Sequence, residues 1–93
     1  MKYNCDIQKN ELLKKERGIT FERICVAIEQ GRILDILEHP DKKTYGNQKL
    51  YVLEIDSYVW VVPFRDDEYS ETRFLITAFP SRKLQKIYKR GNP

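Results

Sequence analysis

The chain has 93 residues and a formal net charge of +3, a length that suits one domain with one modest core. A third of the residues are charged and an eighth aromatic, which describes a globular chain rather than a disordered one. No apolar run approaches the ~18–20 residues that span a bilayer, and Met1 to Asp6 lacks an apolar stretch of signal-peptide length, so a cytoplasmic protein with no membrane partner is expected.

Tyr3, Cys5 and Ile7 alternate, as in an edge strand. Gln8 to Arg17 is rich in helix formers, and Gly18 stands where a C-cap glycine belongs. Thr20 is an N-cap for a second helix, with Ile19 and Ile24 spaced as a hydrophobic staple. Phe21, Ile24, Cys25 and Ile28 follow the spacing of one buried helix face, and Gly31 ends the helix. Cys5 and Cys25 are too few and too scattered for a disulfide framework or a zinc site. They read as small buried hydrophobes, with a redox pair or nucleophile as the functional reading. Metal binding has no support.

Ile33 to His39 is a short strand stopped by Pro40, and Asp41 to Gln48 is a polar loop. The stretch Lys49 to Phe64, KLYVLEIDSYVWVVPF, organises the rest. Tyr51, Leu53 and Ile55 alternate with Leu50 and Val52, so each set takes one face of a strand. Asp56-Ser57 turns the chain, and Tyr58 to Val62 is apolar on both faces, as a central strand requires. Pro63 cannot donate to a ladder and marks an end of pairing or an edge. Arg65 to Glu71 reads as an acidic loop, in which Asp66, Asp67 and Glu68 are solubilising, as are Glu38 and Asp41. Thr72 to Phe79 is the last strand. Ser81 caps a final helix with Leu84, Ile87 and Tyr88 as its apolar stripe. Arg82, Lys83, Lys86, Lys89 and Arg90 make the segment after Pro80 basic with no acidic residue. The order β–α–α–β–β–β–β–α with short connections predicts an α+β fold: a small antiparallel sheet of four or five strands, two N-terminal helices and one C-terminal helix, with the helices gathered on one face.

Two short helices, a strand ending Glu38-His39-Pro40, an aromatic hairpin and an arginine-bearing strand running into Ser81-Arg82-Lys83 and Tyr88 together resemble the BrnT family. The motifs that carry this are Gly18-Ile-Thr-Phe-Glu22 and Thr77-Ala78…Ser81-Arg82-Lys83…Tyr88. The resemblance spans nearly the whole chain. It implies a RelE-like fold and a toxin component of a bacterial type II toxin–antitoxin system, a ribonuclease that cleaves messenger RNA without metal or cofactor and inhibits translation. It implies a cognate antitoxin, of a ribbon-helix-helix DNA-binding kind, whose binding covers the site; dependence on the ribosome is left open.

Attack of a 2′-hydroxyl on the adjacent phosphate needs a base, a cation facing the phosphorane and an acid for the leaving oxygen. Arg73 matches the family's strand arginine and Arg82 the one opening the last helix, and together they would clamp one phosphate. Otherwise each is a solvated surface arginine. Tyr88 would stack a base or bind a phosphate, or else pack on the sheet. His39, the lone histidine, is either a general acid–base beside Glu38 or a turn residue without catalytic duty. Lys83, Lys86, Lys89 and Arg90 supply RNA contacts or meet an acidic antitoxin. The junction Ala78-Phe79-Pro80 lacks the arginine usual in the family. That departure leaves a non-catalytic RNA- or protein-binding module on the same scaffold as the alternative, with a pure protein-interaction partner as a third reading.

Overall fold

The computed structural model describes residues 1–89. In chain order, β1 (Lys2–Cys5) leads into α1 (Ile7–Arg17) and α2 (Phe21–Glu29), and β2 (Ile33–Glu38) into the single-turn α3 (Lys42–Tyr45). The hairpin β3 (Gln48–Ile55) and β4 (Tyr58–Asp66) follows, then β5 (Thr72–Leu75), a two-residue β6 (Phe79–Pro80) and α4 (Arg82–Tyr88). Among the described residues no helix is long and apolar enough to cross a membrane.

The helices form where local chemistry places them. Asp6 caps α1 by accepting the Lys9 N–H, and Gly18 closes it in the left-handed region at φ 66°. Thr20 caps α2 through the Arg23 N–H. Ile19 and Ile24 are both buried, as the staple requires. Phe21, Ile24, Ala27 and Ile28 form the inward face of α2, with Cys25 only partly buried at its margin.

The fold is α+β, and the sheet differs from expectation in being mixed. Its order is β1-β5-β4-β3-β2, with β6 also paired to β4, and β1 runs parallel to β5. Short connections dictate the sense of consecutive strands only. β1 and β5 are distant in sequence, and nothing in their linkage enforces antiparallel pairing. The Asp41–Gln48 loop contains the short α3, capped by Asp41 through the Thr44 N–H.

Pro63 does not end β4. It sits inside the strand opposite Leu50, and its carbonyl accepts the Ile76 N–H. Its missing donor falls where the outer side of β4 passes from β5 to β6. Leu75 pairs with Phe64 and Phe79 with Val61, so the chain between them slips register by one residue. The expected single strand Thr72–Phe79 is thereby split in two. β4 continues to Asp66, which moves Arg65 and Asp66 from loop to ladder. At the other end Asp56 and Ser57 turn the hairpin with φ 51° and 66°, a left-handed pair without glycine, and Arg23 holds the Asp56 carboxylate at 3.2 Å.

The two faces of the sheet are covered differently, because directly paired residues share a face. Tyr51, Leu53, Ile55, Val62, Phe64 and Leu75 pack in one cluster with Leu13 and the inward face of α2. Val52, Val59 and Val61 are equally buried but lie outside that cluster, on the second face. There α4 crosses the sheet: Tyr88 reaches Asp35, the partner of Val52, and Lys89 reaches Glu54, the partner of Val59. The expectation of helices gathered on one face is therefore corrected. The inward stripe of α4 also differs: Leu84, Gln85, Tyr88 and Lys89 are half-buried, whereas Ile87 is 56% exposed.

Candidate nucleic-acid interface

Arg73 sits on β5 opposite both Asp66 of β4 and Tyr3 of β1. Its Nε and Nη2 donate to the two Asp66 carboxylate oxygens at 2.6 and 2.9 Å, and its Nη1 donates to the Tyr51 hydroxyl at 2.6 Å. The guanidinium carbon also lies 4.2 Å from the Phe64 ring centroid. The fork that would have met two phosphate oxygens is thus closed by a carboxylate, and the side chain is only 17% exposed. Asp66, expected as a solubilising loop residue, is the other half of this clamp. The Tyr3 and Tyr51 hydroxyls lie 3.3 Å apart and continue the chain of contacts to the edge strand.

Arg73 and Arg82 do not meet. Arg73 pairs with Asp66 at one end of β4 on the α2 face, whereas Ser81 is hydrogen-bonded to Val59 at the other end, and α4 lies on the second face. Seven residues of β4 separate the two positions, about 23 Å along the strand. The two-arginine phosphate clamp is therefore not assembled. Two independent causes produce this: residue 73 shares a face with the core residue Leu75, and the slip between β5 and β6 delivers the chain to the opposite side.

The remaining candidates also separate. Tyr88 donates its hydroxyl to Asp35 at 2.8 Å, so it ties α4 to β2 rather than projecting toward a ligand. Donation to a carboxylate raises the pKa of that hydroxyl. His39 lies at the end of β2, with β3 and β4 between it and β5. Its Nδ1 accepts the Asp41 N–H at 3.1 Å and its ring packs against Tyr45 at 4.5 Å between centroids. Neither His39 nor Arg73 lies beside α4. Lys89 pairs with Glu54, which also holds Arg32 at 3.7 Å. Arg90 falls outside the described residues.

What α4 does present is Arg82, Lys83 and Lys86, all exposed, none in an ion pair among the described residues. Lys86 is four residues from Arg82 and three from Lys83, so it neighbours both on one side of the helix, and Ile87 and Phe79, also exposed, are close by in sequence. The surface is cationic with apolar edges. Gln85, facing inward, accepts the Val59 N–H through its Oε1 at 2.9 Å and so anchors the helix to the end of β4.

The cysteines line one cavity of about 360 Å³ between β1 and α2, together with Tyr3, Phe21 and Leu75. Burial is the main cause that raises both thiol pKa values, so neither is poised as a nucleophile. Among the described residues no three His, Cys, Asp or Glu side chains converge to hold a metal ion.

The Arg73 hydrogen bonds, partly opposed by desolvation, lower the pKa of Asp66. The Asp66–Arg73 contribution to stability is therefore present above the unfolded pKa of about 4 and is lost as pH falls through the lower folded value. Urea titrations at pH 7 and below pH 4 should show Asp66→Asn destabilised at neutral pH, with the gap to wild type closing on acidification; a gap independent of pH would contradict this. Tyr88→Phe should lower stability by about 1 kcal/mol. A loss well above that would mean that the hydroxyl has partners besides Asp35.

No protein-family model matches the chain, and no curated protein matches it.

Proposed function

We propose that the chain is an RNA-directed protein of BrnT-like kind, a toxin component that engages messenger RNA through the exposed side of α4 and slows translation. A cognate antitoxin with a complementary acidic surface would neutralise it by covering the same cations. The observation that carries the reading is the set Arg82, Lys83 and Lys86, which share one exposed side of α4 and take part in no ion pair among the described residues. The order of elements and the motifs around Gly18 and Ser81 support the family assignment.

Binding without cleavage is the form of this reading that the geometry favours. The metal-independent nuclease chemistry rested on Arg73 and Arg82 gripping one phosphate, and these lie at opposite ends of β4 on opposite faces. A RelE-like ribonuclease remains the second reading, and it would need to work from α4 without Arg73.

Expression of the chain alone in bacteria tests both. Growth should slow, and simultaneous Arg82→Glu, Lys83→Glu and Lys86→Glu should relieve the arrest in a chain that still folds. Intact messenger RNA during the arrest supports binding alone, whereas 5′-end mapping that shows discrete cuts supports the nuclease. Harmless expression together with no affinity for RNA would remove both.

A further inference from the structure

The face of the sheet that α4 crosses carries a second feature. Arg65 and Phe74 are direct cross-strand partners near the far end of β4, and the Arg65 guanidinium carbon lies 4.5 Å from the Phe74 ring centroid. Arg65 is exposed and Phe74 half-buried. With Ile76 of the same face and Lys9 and Leu12 of α1, they line a groove of about 610 Å³.

The charges on this face are lopsided in a specific way. Its carboxylates are engaged in hydrogen bonds: Asp35 accepts the Tyr88 hydroxyl and the Ile36 N–H, Glu54 holds Lys89 and Arg32, Asp67 at the far end accepts the Tyr69 N–H, and Asp6, which also lines the groove, caps α1. Its cations Lys9, Arg65, Arg82, Lys83 and Lys86 take part in no ion pair among the described residues. Arg65 lies six residues along β4 from Val59, where Gln85 anchors α4, a distance of about 20 Å, or a few nucleotides.

We infer that this face is a track for single-stranded RNA, which runs from the α4 cations to the Arg65–Phe74 groove and ends with a base stacked on the Arg65 guanidinium. The inference rests on the reading of α4 as an RNA-binding surface and adds the strandedness of the ligand and its second anchor. An exposed guanidinium supported on an aromatic ring offers a base a flat cationic surface, and unstacked bases alone can use it. In a duplex the bases are already stacked and only phosphates remain for the cations. An acidic protein segment would satisfy the same charges, and its carboxylates would meet the guanidinium edge as Asp66 meets Arg73. The two ligands are therefore told apart by direct titration with RNA and with polyglutamate; Arg65→Lys, which keeps the charge and removes the plane, then reports the stacked base.

The test uses the full chain and fluorescein-labelled RNA, a uridine-rich 12-mer and a duplex of the same length, read by anisotropy over a salt series. The single strand should bind more tightly than the duplex. Arg65→Lys should weaken it roughly tenfold with the salt slope unchanged, because stacking rather than charge is lost. Phe74→Leu, checked for folding by circular dichroism, should weaken it comparably by removing the support. Lys9→Ala should flatten the slope by about 0.7. Binding that disappears in the α4 charge reversal but is untouched by Arg65→Lys and Phe74→Leu overturns the track and leaves the α4 reading standing. Equal affinity for the duplex also overturns it. A wild-type chain that ignores RNA yet binds polyglutamate through these residues overturns both readings and makes the partner a protein.

Discussion

Arg73→Ala should destabilise the protein by about 2–3 kcal/mol, because it breaks a charge-assisted fork, takes the donor from Asp66 and leaves the Tyr51 hydroxyl with Tyr3 alone. The loss is set below that of a fully buried pair because the Asp66 side chain is 49% exposed and water can replace part of the arginine. A domain of this size has roughly 5–14 kcal/mol in all, so the melting temperature should fall by about 10–20 °C. RNA binding by the fraction that remains folded should be unchanged, since Arg73 faces away from α4. Calorimetry and anisotropy on the same preparation separate the two effects. A variant as stable as wild type but unable to act on RNA would return Arg73 to the site and refute its structural role. Arg73→Lys is the finer probe: it keeps the charge but not the bidentate geometry, and should recover only part of the loss. Alkaline titration offers an independent view of the same corner. Burial first, then the hydrogen bond to Tyr51, pushes the Tyr3 hydroxyl up to about 12. A raised folded pKa means that this stabilisation is complete below the unfolded value of about 10 and disappears as pH rises from there through the folded value.

The second large effect is on binding. Reversal of Arg82, Lys83 and Lys86 to glutamate replaces three attractive phosphate contacts by three repulsive ones. If these three cations together with Lys9 and Arg65 contact a single strand, log affinity should fall with log salt at a slope of roughly −3 to −4. The triple reversal should leave no measurable binding at physiological salt. Stability should change little, because these side chains are exposed and α4 is held by Leu84, Gln85, Tyr88 and Lys89. Single reversals graded along the helix would show whether the ligand follows α4 or only touches one end. An RNA affinity indifferent to the triple reversal would remove α4 from the interface altogether.

Much of the architecture was legible because it depends on local chemistry. The caps at Thr20 and Ser81, the left-handed glycine at position 18 and the staple of Ile19 with Ile24 each act within a few residues, and each is found where the sequence places it. The alternation of Tyr51, Leu53 and Ile55 with Val52 likewise gave the two faces of β3. The Asp66–Arg73 pair was less accessible. Opposite charges flank a polar stretch between two strands, which is the signature of a cross-strand pair, but the reading of Pro63 as a terminator hid it. Arg65 and Phe74 were missed for the same reason: with β4 stopped early, Arg65 belonged to a loop and had no partner. Ile87 was misplaced because a helix of seven residues shows too few turns for its apolar side to be fixed by spacing alone.

The sequence by itself determined the α+β class, the two N-terminal helices, the hairpin and a basic final helix, since periodicity, caps and charge composition are properties of neighbours along the chain. Only the tertiary structure decided which face each cation occupies. Strand partners and the side of the sheet on which a helix lands are set by contacts between distant residues, and a one-residue slip such as that between β5 and β6 leaves no mark on local periodicity. That slip, together with the closure of Arg73 on Asp66, turns an expected phosphate clamp into a structural ion pair on one face and an open cationic surface on the other.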